Sequence, residues 1–203
     1  FFFLTLGNEN YEMLEMPKGC EEGILKGLYK LKPTTTKHKL KVHIFGSGAI
    51  INEALGAQKI LEDEYNISVD VWSATNYKQL RTDTLNCQRY NMLNPKKRKK
   101  KSYLESILAK EKGDFFAVSD NMKIVPEQIQ QWVPDGLYVL GTDGFGRSGT
   151  RDDLRRFFEV DKECTVLAVL SELANKGKIN KNIVEKAIKK LNIDPQKAYP
   201  ICV

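Results

Sequence analysis

The chain has 203 residues, 41% hydrophobic and 29% charged, with a formal net charge of +6, which suits one buried core or one domain with an attached piece. No apolar stretch approaches the roughly 20 residues that a membrane-spanning helix requires, so a helical membrane span is excluded. Cys20, Cys87, Cys164 and Cys202 form no C-x-x-C pair, and with only His38 and His43 beside them there is no zinc spacing; reduced thiols in the cytoplasm are expected.

"FFFLTL" opens the chain without an initiator Met, a basic segment before it or a small-residue cleavage site after it. It reads as a strand of a longer chain and not as a signal peptide. "NENY", Asn8 to Tyr11, has two equal readings, a turn or a set of polar groups near a site. "CEEGILKGLYKL" places Ile24, Leu25, Leu28 and Tyr29 at helical spacing, and "KPTTTKHK" is a polar linker. "KLKVHIF" alternates as a strand and runs into Gly46-Ser47-Gly48, after which Ile50, Ala54, Ala57 and Leu61 share a helical face. "ISVDVWSA" is a second strand, and Thr75 is the expected cap of the helix that follows it. After a basic stretch come the short helix "SYLESILAKEKG", the strand "DFFAVS", a helical turn with Pro126 at its first position, and the strand "GLYVLG". Three helical stretches close the chain: "RDDLRRFFEV", then "DKECTVLAVLSELANKG" with Asp161 as cap, then one with Ile183, Ala187 and Leu191 on one face. The alternation predicts an α/β fold, a three-layer α/β/α sandwich with a mostly parallel sheet of about five strands, one antiparallel at the edge.

Lys96 to Lys101, "KKRKKK", carries six positive charges, so the remainder of the chain is neutral. A solvated loop is the plain reading; an acidic partner or an RNA backbone is the alternative. No aromatic residue interrupts the run, which weakens a single-strand stacking mode, and nucleic acid is not an expected partner.

Two glycine-rich turns open helices. Gly46-Ser47-Gly48 lacks the third glycine of a dinucleotide loop, because Ile51 stands there, and has no acidic residue at the end of the next strand. A tight strand-to-helix turn explains it. The second turn is Gly141-Thr142-Asp143-Gly144-Phe145-Gly146-Arg147-Ser148, leading to Arg151. Asp143-Gly144 is not a Gly-Asp-Gly magnesium motif, since Thr142 precedes it and the expected downstream Asn is missing. Two readings stand: a structural or interface loop whose arginines pair with Asp152 or Asp153, or an anion nest formed with Arg147 and Arg151. His43 has no acidic or nucleophilic partner at a telling spacing and reads as structural. No nucleophile–base pair and no paired carboxylates are visible.

The stretch "GTDGFGRSGTRDDLRRFFEVD" resembles the C-terminal domain signature of transketolase-like enzymes. Together with "NENYEMLEMPKGCEEGILKGLYKL", "GSGAIINEALGAQKILEDEYNISVDVWSATNYKQLRTD", "RYNMLNP" and "MKIVPEQIQQWVP", it is similar to the C-terminal end of homodimeric pyruvate dehydrogenase decarboxylating components. The resemblance covers nearly the whole chain.

It implies a parent enzyme that uses thiamine diphosphate and Mg²⁺ to decarboxylate pyruvate and passes the acetyl unit to the lipoyl groups of an acetyltransferase core, in the cytoplasm. Residues 1–12 would be the last strand of a pyrimidine-binding domain, 13–38 a connector helix and linker, and 39–203 the C-terminal domain. Catalytic, cofactor and metal residues would lie upstream, so none is carried over to a position here, and this part alone would bind no cofactor and be inactive. Its partners would be the other domains of its own chain, a homodimer mate and the acetyltransferase core, with no membrane. A free-standing, non-catalytic α/β binding or scaffold module is the alternative. The family usually has a short segment of mixed charge where Lys96 to Lys101 stand.

Overall fold

The structure, a computed structural model, describes residues 10–203; the strand expected at the start of the chain lies outside the described residues. Five strands form one sheet: β1 (Leu28–Lys32), β2 (Leu40–Gly46), β3 (Ile67–Ala74), β4 (Asp114–Val118) and β5 (Tyr138–Leu140). Their order is β1-β3-β2-β4-β5, with β2 to β5 parallel and β1 antiparallel against β3. The expected class, a mostly parallel sheet of about five strands with an antiparallel edge, is observed, but the edge strand β1 comes from a segment read as helix.

Helices cover both faces. On one side lie α2 (Ile51–Tyr65), α7 (Lys162–Asn175) and α8 (Lys181–Lys190); on the other lie α3 (Tyr77–Leu93) and α4 (Tyr103–Leu108). Alternate strand residues serve the two layers, as the pleat requires. Val42, Ile44, Val69, Val71, Phe116 and Val118 pack with Ala54, Ala57, Leu61, Val166 and Leu170. Phe45, Trp72, Phe115 and Ala117 pack with Tyr77, Leu80, Leu104 and Leu108. Fully burying each Leu, Ile or Val stabilises the fold by about 1.5–3 kcal/mol, so the two layers supply most of the driving force. Cys164 is buried in the first turn of α7, as expected, and the four cysteines are free thiols.

Four local expectations are corrected. The helix read through Tyr29 ends early: α1 (Glu21–Lys26) stops at Gly27, which adopts φ 109°, and Leu28 begins the edge strand. A Cβ at Gly27 would stand 2.5 Å from the Asn76 carbonyl oxygen, so only glycine turns the chain there. Asn76, not Thr75, caps α3 by accepting from the Gln79 amide, while the Thr75 hydroxyl donates to the Ile24 carbonyl. Pro126 is the third residue of α5 (Ile124–Glu127), still within the turn whose amides lack helical partners. Ile183 is 37% exposed although Ala187 and Leu191 on its face are buried.

From β2 the chain moves to β3 on one side, then crosses back over β2 to β4 on the other. The order therefore reverses between β2 and β4, and the carboxyl ends of those strands form the switch point at which open α/β sheets usually hold ligands.

Candidate functional site

At the switch point the register aligns Gly46 with Val118 and Val118 with Leu140. The residues that follow, Ser47, Ser119 and Gly141, therefore leave the sheet at one level. Both glycine-rich turns singled out in the sequence thus meet on one edge. The Ser47 and Ser119 hydroxyls lie 3.2 Å apart. Gly46 packs against the start of α2 so closely that a Cβ would stand 2.9 Å from the Ile51 Cα, which explains this glycine without a phosphate.

The second turn is clipped to the segment after β4. The Thr142 amide donates to the Asn121 carbonyl at 3.0 Å and its hydroxyl to the Asp120 carbonyl at 2.7 Å. Asp143 Oδ1 accepts the Lys123 amide at 3.0 Å. At Gly141 a Cβ would come within 2.7 Å of the Asn121 carbonyl oxygen and 2.8 Å of the Lys123 nitrogen. Gly144 is pressed against the Pro200 carbonyl in the same way. The void left among Lys123, Leu140, Asp143, Phe158 and Tyr199 measures about 20 Å³, room for one water.

Beyond Gly144 the turn is exposed, and Phe145 is 82% exposed. The Arg147 guanidinium lies 5.1 Å over the Phe157 ring. Helix α6 (Arg151–Phe157) is capped by Thr150, whose hydroxyl accepts the Asp153 amide and donates to the Asp153 carboxylate at 2.6 Å. Asp152 and Asp153 in its first turn and the closed Thr150 cap place negative charge at the start of α6. One turn further on, Arg155 Nη1 pairs with Glu53 at 3.0 Å and Arg155 Nη2 donates to the Tyr11 hydroxyl at 3.4 Å. Arg151 and Arg155 both lie about 6 Å from the Tyr11 ring centre, so the segment at Tyr11 is held against α6.

Sequence reasoning missed a second polar cluster. His43 and Asp70 are buried on the α3 face of the sheet, one strand apart in register. Asp70 Oδ2 meets the Lys30 and Lys41 ammoniums at 2.8 Å each, and Oδ1 accepts the Thr34 amide at 2.8 Å. Glu111 pairs with Lys30 at 2.8 Å. The Trp72 indole N–H donates to His43 Nδ1, and Nε2 lies 3.2 Å from the Lys112 carbonyl. These contacts fix a neutral imidazole with its proton on Nε2, and burial holds its pKa below 6.5. Burial alone would raise the Asp70 carboxyl, but the bonds from Lys30, Lys41 and Thr34 outweigh it and hold the carboxyl below 3.8. Ligand atoms of His43, Asp70 and Glu111 lie within 4.8 Å of one another. With Lys30 and Lys41 on the same Asp70 oxygen and Lys30 also on Glu111, the side chains form an ion-pair network joining β1, β2, β3 and the segment before β4. Asp70, a carboxylate inside an apolar strand, was the available signal.

A family model described as the transketolase-like TK C-terminal domain matches residues 27–161. The chain is 46% identical over 202 residues to the pyruvate dehydrogenase E1 component of Pseudomonas aeruginosa, covering 99% of this chain and 23% of that protein. Against the Escherichia coli K12 pyruvate dehydrogenase E1 component it is 43% identical over 201 residues, covering 98% and 22%. The chain thus spans less than a quarter of the length of these relatives. Among solved structures, the Campylobacter jejuni transketolase superposes with a TM-score of 0.50 at 20% identity over 72% of this chain and 18% of that one. A Pichia stipitis transketolase in complex with xylulose 5-phosphate gives 0.52 at 22% identity over 77% and 19%; at these identities the likeness concerns the fold.

Proposed function

The chain belongs to the transketolase-like C-terminal domain family, and we propose that it is the C-terminal part of a homodimeric pyruvate dehydrogenase decarboxylating subunit. In this reading the whole enzyme decarboxylates pyruvate with thiamine diphosphate and Mg²⁺. It then transfers the acetyl unit to lipoyl groups of an acetyltransferase core in the cytoplasm. The observation that carries it is 46% identity sustained over 99% of the chain to a pyruvate dehydrogenase E1 component. No helix among the described residues is long and apolar enough to cross a membrane.

Within that enzyme this part contributes architecture. The turn at residues 141–148 does not fit a diphosphate and its metal: Asp143 is committed to the Lys123 amide, and Gly141 and Gly144 touch backbone where an anion would need space. The same turn exposes Phe145, and Met122, Ile124 and Ile201 on the segments clipped to it are exposed too, apolar side chains suited to packing against the upstream domains or the dimer mate.

The test is the size and activity of the native protein. Mass spectrometry of source cells is expected to place this sequence in a chain about four times longer, since the relatives it matches at 99% of its own length are covered only to 23%. That purified chain is expected to show pyruvate-dependent reduction of ferricyanide with thiamine diphosphate and Mg²⁺. Residues 1–203 alone are expected to give no heat with thiamine diphosphate. A native product of 203 residues, or saturable Mg²⁺-dependent binding by it, would replace the proposal with an independent module.

A further inference from the structure

The strongest charge feature of the molecule lies away from the sheet edge, in the segment between α3 and α4. Lys96, Lys97, Arg98, Lys99, Lys100 and Lys101 are all exposed and form no ion pair among the described residues. The nearby carboxylates are committed elsewhere. Asp83 accepts the Tyr103 amide at 2.7 Å, and Glu105 accepts the Ser102 amide and hydroxyl in the box that caps α4. The full positive field of the run therefore faces solvent.

The run is held in place. Asn91 clamps Lys100 from both sides, its Nδ2 donating to the Lys100 carbonyl at 2.9 Å and its Oδ1 accepting the Lys100 amide at 2.8 Å. The Lys97 amide donates to the Asn94 carbonyl, and the Asn94 side chain closes the end of α3 on the Tyr90 carbonyl. The Lys100 ammonium rests 3.9 Å from the Tyr90 ring centre. A solvated tail would need none of these ties.

The surface continues down α3. Arg81, Leu85, Arg89 and Met92 are exposed at three- and four-residue spacing, so they form one stripe that leads into the loop. Arg81 and Arg89 also form no ion pair among the described residues, and Leu93 is 55% exposed beside Met92. A stripe that alternates guanidinium with apolar side chains complements a segment that alternates carboxylate with apolar side chains. A nucleic-acid backbone has nothing to place on Leu85 and Met92, and the one aromatic ring at the loop is already covered by Lys100. Leu85 and Met92, two turns apart, give no continuous apolar face for insertion into lipid.

We propose that α3 and the Lys96–Lys101 loop form a docking surface for an acidic, leucine-bearing protein segment. The proposal is independent of the activity of the parent enzyme. Electrostatics brings the segment in, the clamp means the loop is already ordered when it arrives, and Leu85 and Met92 receive the apolar side chains.

The test is fluorescence anisotropy at physiological salt with a labelled glutamate-rich peptide carrying leucines, its leucine-free counterpart, an oligouridylate, and phosphatidylserine vesicles. The leucine-bearing peptide is expected to bind tightest. Lys97→Glu with Lys99→Glu is expected to weaken it more than about tenfold, because two attractions become repulsions. Met92→Ser should weaken that peptide about fivefold and leave the leucine-free one unchanged. Asn91→Ala keeps every charge and should still weaken both peptides about threefold, since the loop must then be ordered on binding. All three variants change exposed or half-buried positions, and an unchanged melting temperature confirms that they fold. The proposal is overturned if the oligouridylate or the vesicles bind tighter than the leucine-bearing peptide, if the two peptides bind equally, or if Asn91→Ala binds as the parent does.

Discussion

Asp70→Asn isolates the ion-pair network from its shape, because the amide keeps the side-chain volume and can still accept the Thr34 amide. What is lost is the charge facing Lys30 and Lys41, each 2.8 Å away. Breaking a fully buried pair by removing one partner costs about 3–5 kcal/mol. Here the lysine side chains are 27% and 34% exposed and Lys30 keeps Glu111, so solvent and the second carboxylate recover part of that, leaving about 2–3 kcal/mol. In urea, with a slope of about 2 kcal/mol/M, the midpoint should fall by about 1 M at pH 7.5 with the slope unchanged. The pH dependence adds a second check. Asp70 has a folded-state pKa below 3.8, so its stabilisation is present above that value and is lost as pH falls through the lower, folded one. His43 has a folded-state pKa below 6.5, so stability from the neutral ring is present above 6.5 and declines as pH falls below it. That decline occurs in both proteins, and the variant, lacking the anion that favours imidazolium, cannot suffer less. The gap between them must therefore persist from pH 7.5 to 5 and close only below about 3.8, as Asp70 itself protonates. A gap under about 0.5 kcal/mol at pH 7.5, within the range of an ordinary surface change, or one that closes between pH 7 and 5, would refute this account of the edge.

Three further outcomes follow from the sheet's carboxyl edge. Gly141→Ala forces a Cβ to 2.7 Å from the Asn121 carbonyl, and because both neighbours are backbone the clip must open; thermal melts should show a loss of about 1–3 kcal/mol. Thr150→Ala removes the α6 cap and should cost about 1 kcal/mol, with faster proteolysis between residues 144 and 151 as the local readout. Phe145→Ser should leave the stability of this domain within about 0.5 kcal/mol, as for other exposed positions. In the full-length enzyme it should weaken assembly measured by sedimentation; unchanged assembly there would remove Phe145 from the interface.

Local chemistry made most of the fold legible. The β2 and β3 strands alternate or run apolar as buried strands do, Asp161 accepts the Cys164 amide as a cap residue should, and Ile50, Ala54, Ala57 and Leu61 fall on one buried face. The misreading of Leu28 and Tyr29 has a physical cause. Gly27 allowed either a helix with a weak point or a left-handed stop, and the decisive contacts come from Asn76, far away in sequence. The two glycine-rich turns were legible as turns, but their meeting on one edge depends on strand order. The polar network was hidden for the same reason: Lys30, Lys41, His43, Asp70 and Glu111 lie on four separate segments, and only the pairing of β1, β2 and β3 brings them together.

The same strand order bears on what this part of the protein can do. Where β2 and β4 diverge, an open α/β sheet normally leaves a crevice. Here Asp120 to Lys123, Gly141 to Gly144 and Tyr199 to Ile201 close over the neighbouring end of β4 and β5, and at Gly141 and Gly144 a side chain would strike the neighbouring backbone. The Lys123 ammonium donates to the Tyr199 hydroxyl at 2.9 Å, so the C-terminal segment is one of the pieces that close the edge. With three chain segments filling the space beside the usual ligand crevice, both proposed modes of recognition use outward surfaces. Those surfaces, Phe145 on one side and the α3 stripe with its basic loop on the other, differ in chemistry. The first is apolar and suits a permanent neighbour; the second is charged, salt-sensitive and suited to a partner that comes and goes.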